Sequence, residues 1–397
     1  MQIRVAEEVY WVGAIDWNAR NFHGYTYATP RGTTYNAYLV RDEKIALVDT
    51  VASQFAGEML GRIRELVDPE RIDYIIANHG EIDHSGAIPE VMKLAPQARL
   101  VCSRRGVESL GRYIPGDWDF MVVGTGDEIS LGRKTLTFIE APMLHWPDSM
   151  FTYIKEEALL LPNDAFGQHL ATSQRFADEV NEWVVFDEAA RYYANILWPF
   201  SPLVLKKIEE VQKMGVEIST VAPSHGVIWR NNPGKIIGAY TRWAKGEARQ
   251  KVLVVYETMW GSTEKIARAL VEGVASEGVE TGLYGLPMAD RSEVIKELLE
   301  AKGILVGSST HNQRMLLNMA AFLEHLKGLK PTGKIGAAFG SYGWAAKAVQ
   351  QMEEDLQEAG IDVVEAGLSF KFAPHNEEIK RAFEFGKAFA RRVKAAI

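Results

Sequence analysis

Cysteine is almost absent from this sequence, because Cys102 is the only one among 397 residues. A single cysteine excludes an intrachain disulfide, a thiolate zinc site and a CxxC pair for an iron–sulfur or rubredoxin-type centre in this chain. An electron that enters from such a centre must therefore come from another protein.

Long apolar runs and an excess of positive charge are also missing. No uninterrupted apolar run approaches the roughly 18 residues of a membrane-spanning helix, and the start MQIRVAEEVYWVGA carries charges where a signal peptide is apolar. The net charge of -8 argues against a general binder of nucleic acids or anionic membranes. We expect a cytoplasmic protein that binds neither nucleic acid nor membrane.

The chain is long enough for two domains. Up to residue 225 the pattern mixes short strands with a few helices. Strands are predicted at 8–12, 34–40, 44–49, 72–78, 99–102, 135–141, 150–154 and 158–161, and helices at 54–67 and 189–214. This half is predicted to be rich in β-sheet.

After a helix predicted at 235–250, strands and helices alternate regularly. Strands are predicted at 252–256, 280–286, 304–307, 334–339 and 362–368, and helices at 263–276, 292–301, 316–326, 344–359 and 377–393. Five βα units predict a doubly wound parallel sheet covered by helices on both faces. We therefore expect an α/β protein with domains at 1–249 and 250–397.

A phosphate-binding loop is predicted between the strand at 252–256 and the helix that follows. Backbone N–H groups, hydroxyls and the positive end of a helix dipole bind phosphate at such a junction. The sequence matches neither G-x-x-x-x-G-K-[ST] nor G-x-G-x-x-G, so a terminal monophosphate is favoured over a nucleotide triphosphate or a dinucleotide. The residues are Thr258, Met259, Trp260, Gly261, Ser262 and Thr263.

Two further loops are expected at the same edge of the parallel sheet, where ligands of this fold class bind. They contribute Ser308, Thr310, His311 and Asn312 after the third strand, and Ser341, Tyr342, Gly343 and Trp344 after the fourth. The aromatic side chains are suited to enclose a planar ring. This half resembles flavodoxin, which implies FMN as a cofactor.

The stretch NHGEIDHSG (78–86) places His79, Glu81, Asp83 and His84 within six positions directly after a predicted strand. A solvated βα loop is the alternative interpretation. Imidazole and carboxylate are, however, the usual ligands of zinc and iron where thiolates are absent. Three more candidates each follow a strand, and the full set has seven members: His79, Glu81, Asp83, His84, His145, Asp164 and His225.

The order of these loops resembles the metallo-β-lactamase fold, whose zinc hydrolases carry H-x-H-x-D-H followed by His, Asp and His. This sequence has Glu81 at the second position of the motif. An anionic oxygen ligand suits iron better than a neutral imidazole does. With two ferrous ions, the charges of Glu81, Asp83, Asp164 and one bridging hydroxide sum to neutrality.

Over its whole length the chain resembles the flavodiiron proteins, also called A-type flavoproteins. The matching motifs are H-x-E-x-D-H (79–84), HWPDSM (145–150), NDAFGQH (163–169), APSHG (222–226) and TMWGSTEK (258–265). The resemblance implies a metallo-β-lactamase-like αββα domain followed by a flavodoxin-like domain. It implies one iron held by His79, Glu81 and His145, and a second by Asp83, His84 and His225, with Asp164 bridging.

The resemblance also implies an activity and its partners. The activity is reduction of O2 to water, of NO to N2O, or of both, at a diiron centre supplied with electrons by FMN. The implied donor is rubredoxin or a reduced deazaflavin, and the implied assembly is a head-to-tail homodimer or a tetramer.

Two other functions fit parts of the sequence. A metallo-β-lactamase-type zinc hydrolase with an accessory flavodoxin-like electron-transfer domain is the alternative enzyme, and Glu81 argues against it. An electron carrier without turnover is the third possibility, and it requires a coordinatively closed metal site. Four residues have open roles beside the candidate metal site: His23, His169, Tyr192 and Tyr193.

Overall fold

The computed structural model describes residues 2–397. Contacts between Cα atoms divide the chain into two compact units. The first contains the residues up to Tyr25, together with Thr29–Tyr192 and Phe200–Thr241. The second contains Thr26–Ala28, Tyr193–Pro199 and Arg242–Ile397. No helix within residues 2–397 combines the length and the apolar character needed to cross a membrane.

The N-terminal part of the chain is dominated by short strands. They are β1 (Ile3–Ala6), β2 (Val9–Trp11), β3 (Ala14–Asp16), β4 (Asn21–Phe22), β5 (Tyr27–Ala28), β6 (Thr33–Tyr35), β7 (Tyr38–Arg41), β8 (Ile45–Val48), β9 (Ile72–Ala77), β10 (Arg99–Ser103), β11 (Phe120–Val123), β12 (Glu128–Ser130), β13 (Thr135–Glu140), β14 (Met150–Ile154), β15 (Leu159–Leu161) and β16 (Thr220–Val221). The helices are α1 (Ala56–Arg64), α2 (Ile82–Ser85), α3 (Ile88–Leu94), α4 (Gly106–Tyr113), α5 (Glu182–Tyr192), α6 (Ser201–Lys213) and α7 (Gly234–Ala244).

Two large mixed sheets dominate the first unit. One has seven strands in the order β1-β2-β7-β8-β9-β10-β11, and the other has five in the order β12-β13-β14-β15-β16. A buried apolar cluster joins Val40 and Val48 of the first sheet to Phe138 and Met150 of the second, so the sheets pack face to face. A second cluster joins the first sheet to α1, α3 and α4, which cover its other face.

The C-terminal part alternates strands and helices as the sequence predicts, except that the strand predicted at 362–368 is divided into two short strands. Its strands are β17 (Arg249–Glu257), β18 (Glu280–Gly285), β19 (Ala301–Ser309), β20 (Ile335–Tyr342), β21 (Asp362–Val363) and β22 (Leu368–Lys371). Its helices are α8 (Ser262–Ser276), α9 (Arg291–Glu300), α10 (Leu317–Leu329), α11 (Ala348–Glu358) and α12 (Asn376–Ala395). The sheet order is β18-β17-β19-β20-β21, β22 pairs with β20, and all these pairs are parallel. This is the doubly wound order of flavodoxin-like sheets.

Some predicted elements differ from the observed ones. The strand predicted at 34–40 is divided into β6 and β7, because Asn36 leaves the sheet and its side chain bonds the carbonyls of Pro223 and Gly226. The helix predicted at 189–214 is instead α5 and α6, separated by a π-helical turn at Tyr193–Leu197 and a 3₁₀ turn at Trp198–Phe200. Pro199 and Pro202 lack the N–H groups that would continue one helix.

Candidate metal centre and cofactor cavity

The seven ligand-type side chains predicted from the sequence meet in the first unit. His79 and Glu81 lie in the turn after β9, and Asp83 and His84 lie on α2. The remaining three follow β13, β15 and β16, and they are His145, Asp164 and His225. Polar side chains thus gather from four strand ends and form one cluster.

The first half of the cluster is built around Glu81. Its Oε2 atom lies 3.3 Å from Nε2 of His79 and 3.3 Å from Nε2 of His145. Oδ2 of Asp164 lies 3.5 Å from Nε2 of His145 and 3.8 Å from Nε2 of His79. His79, His145 and Asp164 are buried, and their ligand atoms all lie within 4.8 Å of one another.

The second half of the cluster contains Asp83, His84 and His225. Oδ2 of Asp83 lies 3.3 Å from Nε2 of His84 and 3.2 Å from Nε2 of His225. Oδ1 of Asp164 lies 3.1 Å and 3.4 Å from the same two nitrogens. Asp164 therefore turns one carboxylate oxygen to each half of the cluster.

Several polar atoms of this cluster are buried without a hydrogen bond within residues 2–397. They include both carboxylate oxygens of Asp83, Oδ2 of Asp164 and Nδ1 of His84. Buried carboxylate oxygens without donors are costly unless a cation or a hydrogen bond compensates them. The separations of roughly 3 to 3.5 Å between these ligand atoms are those of groups that share an ion at about 2.1 Å.

The ionisation of the cluster shows the same demand for positive charge. Burial acts to lower the pKa of His79, but hydrogen bonds to Asp148 and Glu81 outweigh it and raise the value to about 9. Burial likewise opposes the shift at His145, where Asp164 and Glu81 raise the pKa to about 10. The histidines in turn lower the pKa of Glu81 against the effect of burial. Metal binding at such a site must displace protons, so it competes with acid.

Asp148 orients His79 within the cluster. Oδ1 of Asp148 lies 2.9 Å from Nδ1 of His79, and its Oδ2 accepts from the backbone N–H of Gly80 and the hydroxyl of Ser109. Because Asp148 is the acceptor, Nδ1 of His79 carries the proton and Nε2 is left to bind a metal. A Cβ atom at Gly80 would lie 2.3 Å from Oγ of Ser109, so this close approach requires glycine.

The four residues with open roles divide into two groups. Nε2 of His23 lies 3.3 Å from Oε1 of Glu81, and the hydroxyl of Tyr192 donates to Oδ1 of Asp164 at 2.9 Å. His169 is buried, bonds Oγ1 of Thr33 and contacts the ring of His225. Tyr193, in contrast, packs its ring against Trp243 at a centroid distance of 5.4 Å. His23, His169 and Tyr192 therefore surround the cluster.

The second unit contains a cavity of about 440 Å³ at the carboxyl ends of its strands. This volume falls in the usual range for cofactor sites. Of the predicted cofactor residues, those that line the cavity are Met259, Trp260, Ser262, Thr310, His311, Asn312, Ser341, Tyr342, Gly343 and Trp344. Three residues that the sequence did not indicate complete the lining: Ser309, Phe372 and Ala373.

The four other predicted cofactor residues do not line the cavity, and they are Thr258, Gly261, Thr263 and Ser308. The hydroxyl of Ser308 accepts from the backbone N–H of Leu316 and is fully buried. Oγ1 of Thr258 accepts from the N–H of Gly261 at 3.1 Å. Oγ1 of Thr263 lies 2.9 Å from the hydroxyls of both Ser309 and Ser341, so hydroxyl contacts join the three loops.

Comparison with known proteins agrees with both units. Residues 33–226 match the ODP family beta lactamase profile, and residues 254–386 match the Flavodoxin profile. A nitric oxide reductase from Moorella thermoacetica is 50% identical, over 98% of each chain. The flavodiiron protein from Giardia intestinalis is 35% identical, with a TM-score of 0.96 over 100% of this chain and 97% of that one. This chain belongs to the flavodiiron protein family.

Another similar structure is rubredoxin oxygen:oxidoreductase from Desulfovibrio gigas, with 38% identity and a TM-score of 0.97 over 100% of this chain and 99% of that one. Membership of the flavodiiron family confirms the predicted fold class, a metallo-β-lactamase-like part followed by a flavodoxin-like part. The cofactors of the family are a diiron centre and FMN, as expected from the sequence.

The residues of the flavodiiron chain fit both cofactors. The carboxylate oxygens of Asp83 and Asp164 without hydrogen bonds lie among imidazole nitrogens, which is a donor set suited to iron. In the second unit, Gly261 has φ +81° directly before α8, and a Cβ atom there would meet nothing within 4 Å. The loop therefore leaves open space for a phosphate at the positive end of the helix.

Proposed function

We propose that this protein is an oxidoreductase that reduces O2 to water, NO to N2O, or both. The observation that carries the proposal is Asp164, whose two oxygens face two separate groups of ligand-type side chains. One carboxylate between two such groups is the arrangement expected for two metal ions that act on one small substrate. The names of the relatives, nitric oxide reductase and rubredoxin oxygen:oxidoreductase, support the same chemistry.

The proposed iron ligands follow the two groups. One iron takes His79, Glu81 and His145, the other takes Asp83, His84 and His225, and Asp164 bridges them. Support comes from the separations of 3.1 to 3.8 Å between the carboxylate oxygens and the imidazole nitrogens. The metal-binding domain is proposed at 1–249 and the FMN domain at 250–397.

The proposed FMN contacts come from three loops. The residues at 258–263 bind the phosphate through backbone N–H groups and hydroxyls, with the N-terminus of α8 behind them. Trp260, Tyr342 and Trp344 enclose the ring. Trp260 and Trp344 line the cavity and are 91% and 92% exposed, which favours a role in covering a bound ring.

The protein's own side chains position the cofactors and control access to them. When bound, two ferrous ions and one two-electron-reduced FMN supply four electrons, which is the number that converts O2 to two waters. Tyr192 holds the orientation of Asp164 through a hydrogen bond of 2.9 Å. His23 contacts Glu81 from a position that is one third exposed, and it is the candidate residue at the open side of the cluster.

The zinc hydrolase alternative is not favoured, because two relatives similar over the full chain are named nitric oxide reductase and rubredoxin oxygen:oxidoreductase. Metal analysis distinguishes the two functions, since the hydrolase requires zinc and the reductase requires iron. The electron-carrier alternative predicts no oxygen consumption when a reductant is supplied.

We also propose an electron donor and an assembly for this protein. The donor is rubredoxin or a reduced deazaflavin, and the assembly is a head-to-tail homodimer or a dimer of dimers in which FMN of one chain faces the metal cluster of its partner. Closed two-fold assembly uses the same surface of both chains. A cytoplasmic location remains a prediction from the sequence.

Stopped-flow reoxidation of the fully reduced protein tests the activity. O2 and NO are mixed separately with the reduced protein, and reoxidation of FMN and of iron is followed by absorbance. Rapid reoxidation of both cofactors by at least one gas supports the proposal. Slow reoxidation by both gases, no faster than that of free FMN and buffer iron, contradicts it.

A mixed dimer tests transfer between chains. One parent lacks iron through Asp164→Ala, and the other lacks FMN through Gly261→Val. Transfer between chains restores activity in a verified heterodimer, because one intact FMN then faces one intact diiron site. A heterodimer as inactive as its parents means that electrons move within a chain.

A further inference from the structure

Asp49 is a buried carboxylate that accepts four hydrogen bonds from loops bearing the metal cluster. It follows β8 and is 2% exposed. Its Oδ1 accepts from the backbone N–H of Asn78 at 2.9 Å. Its Oδ2 accepts from Nδ2 of Asn78, Nδ2 of Asn163 and Oγ of Ser224, each at 3.2 Å.

Each donor immediately precedes a residue of the cluster. The three cluster residues concerned are His79, Asp164 and His225. Their loops follow β9, β15 and β16, so Asp49 of the seven-stranded sheet bonds loops that belong to both sheets. Consecutive Cα atoms are about 3.8 Å apart, so fixing the residue before a ligand restricts where the ligand's backbone lies.

The next residue extends this arrangement. The backbone N–H and the hydroxyl of Thr50 both donate to the carbonyl of His84, at 2.8 and 2.6 Å. Asp49 itself has φ +56°, an uncommon conformation for a residue with a side chain. The backbone at 49–50 is therefore held where it contacts loops from both halves of the cluster.

We propose that Asp49 is a positioning residue that fixes His79, Asp164 and His225 relative to one another. These residues belong respectively to the first half of the cluster, to both halves and to the second half. Loss of Asp49 should therefore weaken both metal positions together. The inference rests on the proposed metal ligands, but not on the proposed redox activity.

The hydrogen-bond pattern makes asparagine a sharp probe at this position. All four contacts require Asp49 to accept, and asparagine has nearly the same shape but only one acceptor oxygen. In Asp49→Asn the amide NH2 must face either the N–H of Asn78 or three donors at the Oδ2 position. Two buried donor groups then face each other without an acceptor, and their repulsion pushes the loops apart.

The matched control is Asp42, at the other end of the same strand. Asp42 precedes β8, its side chain is 1% exposed, and Oδ2 accepts from the backbone N–H of Lys134 at 2.7 Å. Asp42→Asn therefore disturbs a buried carboxylate in the same hairpin, away from the metal cluster. Any effect shared by the two variants reflects fold stability rather than metal positioning.

The experiment measures release of metal to a chelator from cobalt-loaded holoprotein that retains FMN. Cobalt(II) is used because its visible spectrum reports coordination geometry. In Asp49→Asn, release should be roughly 10- to 100-fold faster for both ions together, with an altered cobalt spectrum. Asp42→Asn should release metal at the parental rate.

A charge swap provides the rescue. In Asp49→Asn with Asn163→Asp, the amide of residue 49 donates to a carboxylate at 163, which restores one matched contact while Nδ2 of Asn78 stays unmatched. Release should be slower than in Asp49→Asn. If Asp49→Asn fails to fold, Ser224→Ala is the substitute. It removes one donor to Asp49 and also the acceptor of a hydrogen bond from Nδ2 of Asn163, which precedes Asp164, so it should still accelerate release of both ions.

The inference is overturned if Asp49→Asn, or Ser224→Ala in its place, releases metal at the parental rate, or if only one ion is released faster. It is also overturned if Asp42→Asn accelerates release equally. A double variant that releases metal as fast as Asp49→Asn would overturn it too. None of these results depends on turnover. If the protein holds two zinc ions and their release depends on Asp49, the proposed function is refuted and this inference stands.

Discussion

Nδ1 of His79 lies 2.9 Å from Oδ1 of Asp148, and both side chains are almost fully buried. Histidines that bind metals commonly donate their second N–H to a carboxylate, which fixes the tautomer and the ring orientation. Asp148 is not among the site residues predicted from the sequence, although it lies three residues after His145.

Replacing Asp148 should weaken metal binding at the His79 position. In Asp148→Asn, one amide oxygen cannot accept from His79, Gly80 and Ser109 at both former oxygen positions. Metal affinity there should fall by roughly 10- to 100-fold. Metal content after dialysis against a chelator measures the change. Ser109→Ala keeps the contact to His79 and should have a smaller effect; equal losses in the two variants would contradict the orienting role.

Replacing Glu81 with histidine should change the preferred metal. Glu81→His removes an anionic oxygen that lies 3.3 Å from two imidazole nitrogens, and iron favours such a ligand more than zinc does. We expect the zinc-to-iron ratio to rise and reductase activity to fall by roughly tenfold or more. Elemental analysis of protein expressed with both metals measures the ratio. The control is Glu90→His, an exposed position on α3.

The contrary result for Glu81 is equally definite. A variant that keeps its full iron content and full turnover would show that the carboxylate does not set the metal preference. A rise in zinc in Glu90→His as well would mean that any added histidine recruits zinc.

A side chain at Gly261 should release FMN without releasing metal. Gly261 has φ +81°, where a β-branched residue costs about 1 to 3 kcal/mol. Gly261→Val should therefore distort the phosphate loop and lower FMN affinity by up to roughly 150-fold, so that the variant is purified largely without FMN. Gly278→Val is the control, because Gly278 has φ +71°, equally open space and a position just beyond the C-terminal end of the same helix.

Absorbance gives FMN per chain, and elemental analysis gives metal per chain. The control should retain FMN despite a similar backbone strain. Loss of iron in Gly261→Val would contradict the independence of the two cofactor sites.

Lys334 should make stability depend on pH. Burial lowers its pKa from 10.5 to about 7, helped by Lys302. Between those pH values the unfolded chain binds a proton at this lysine that the folded chain does not. The free energy of unfolding therefore increases as pH rises from about 7 to 10.5. Lys334→Met should therefore raise the unfolding temperature more at pH 7 than at pH 10.

Thermal unfolding at both pH values measures this difference, with Lys380→Met, at an exposed position on α12, as the control. The substitution at 334 also removes the bond to the carbonyl of Leu299, which offsets part of the gain at every pH. An equal rise in unfolding temperature at the two pH values would show that Lys334 is not held uncharged in the folded protein.

Much of the candidate site was predictable because ligand-type residues follow strands. His145, Asp164 and His225 are each preceded by an apolar segment, and the structure brings them together with His79. The regular βα alternation after residue 250 likewise predicted the cofactor loops. Local sequence suffices where a strand end decides the position of a side chain.

Other features depend on contacts that no local pattern records. Asp49 bonds residues 114 and 175 positions away in the chain. The predicted strand at 304–307 extends to Ser309, and alternate residues of a strand face opposite sides, so Ser309 lines the cavity while Ser308 is buried. Phe372 reaches the same cavity because β22 pairs with β20.

The most direct test of the central claim is an anaerobic titration of the fully reduced protein with O2 and, separately, with NO, with product analysis. Two ferrous ions and one two-electron-reduced FMN hold four electrons per chain. The account predicts that at least one gas reoxidises all cofactors, at about one O2 per chain with water as the product or about four NO per chain with N2O as the product. Release of hydrogen peroxide from O2, together with no N2O from NO, would contradict it, because the flavin and the metals would then be reacting separately.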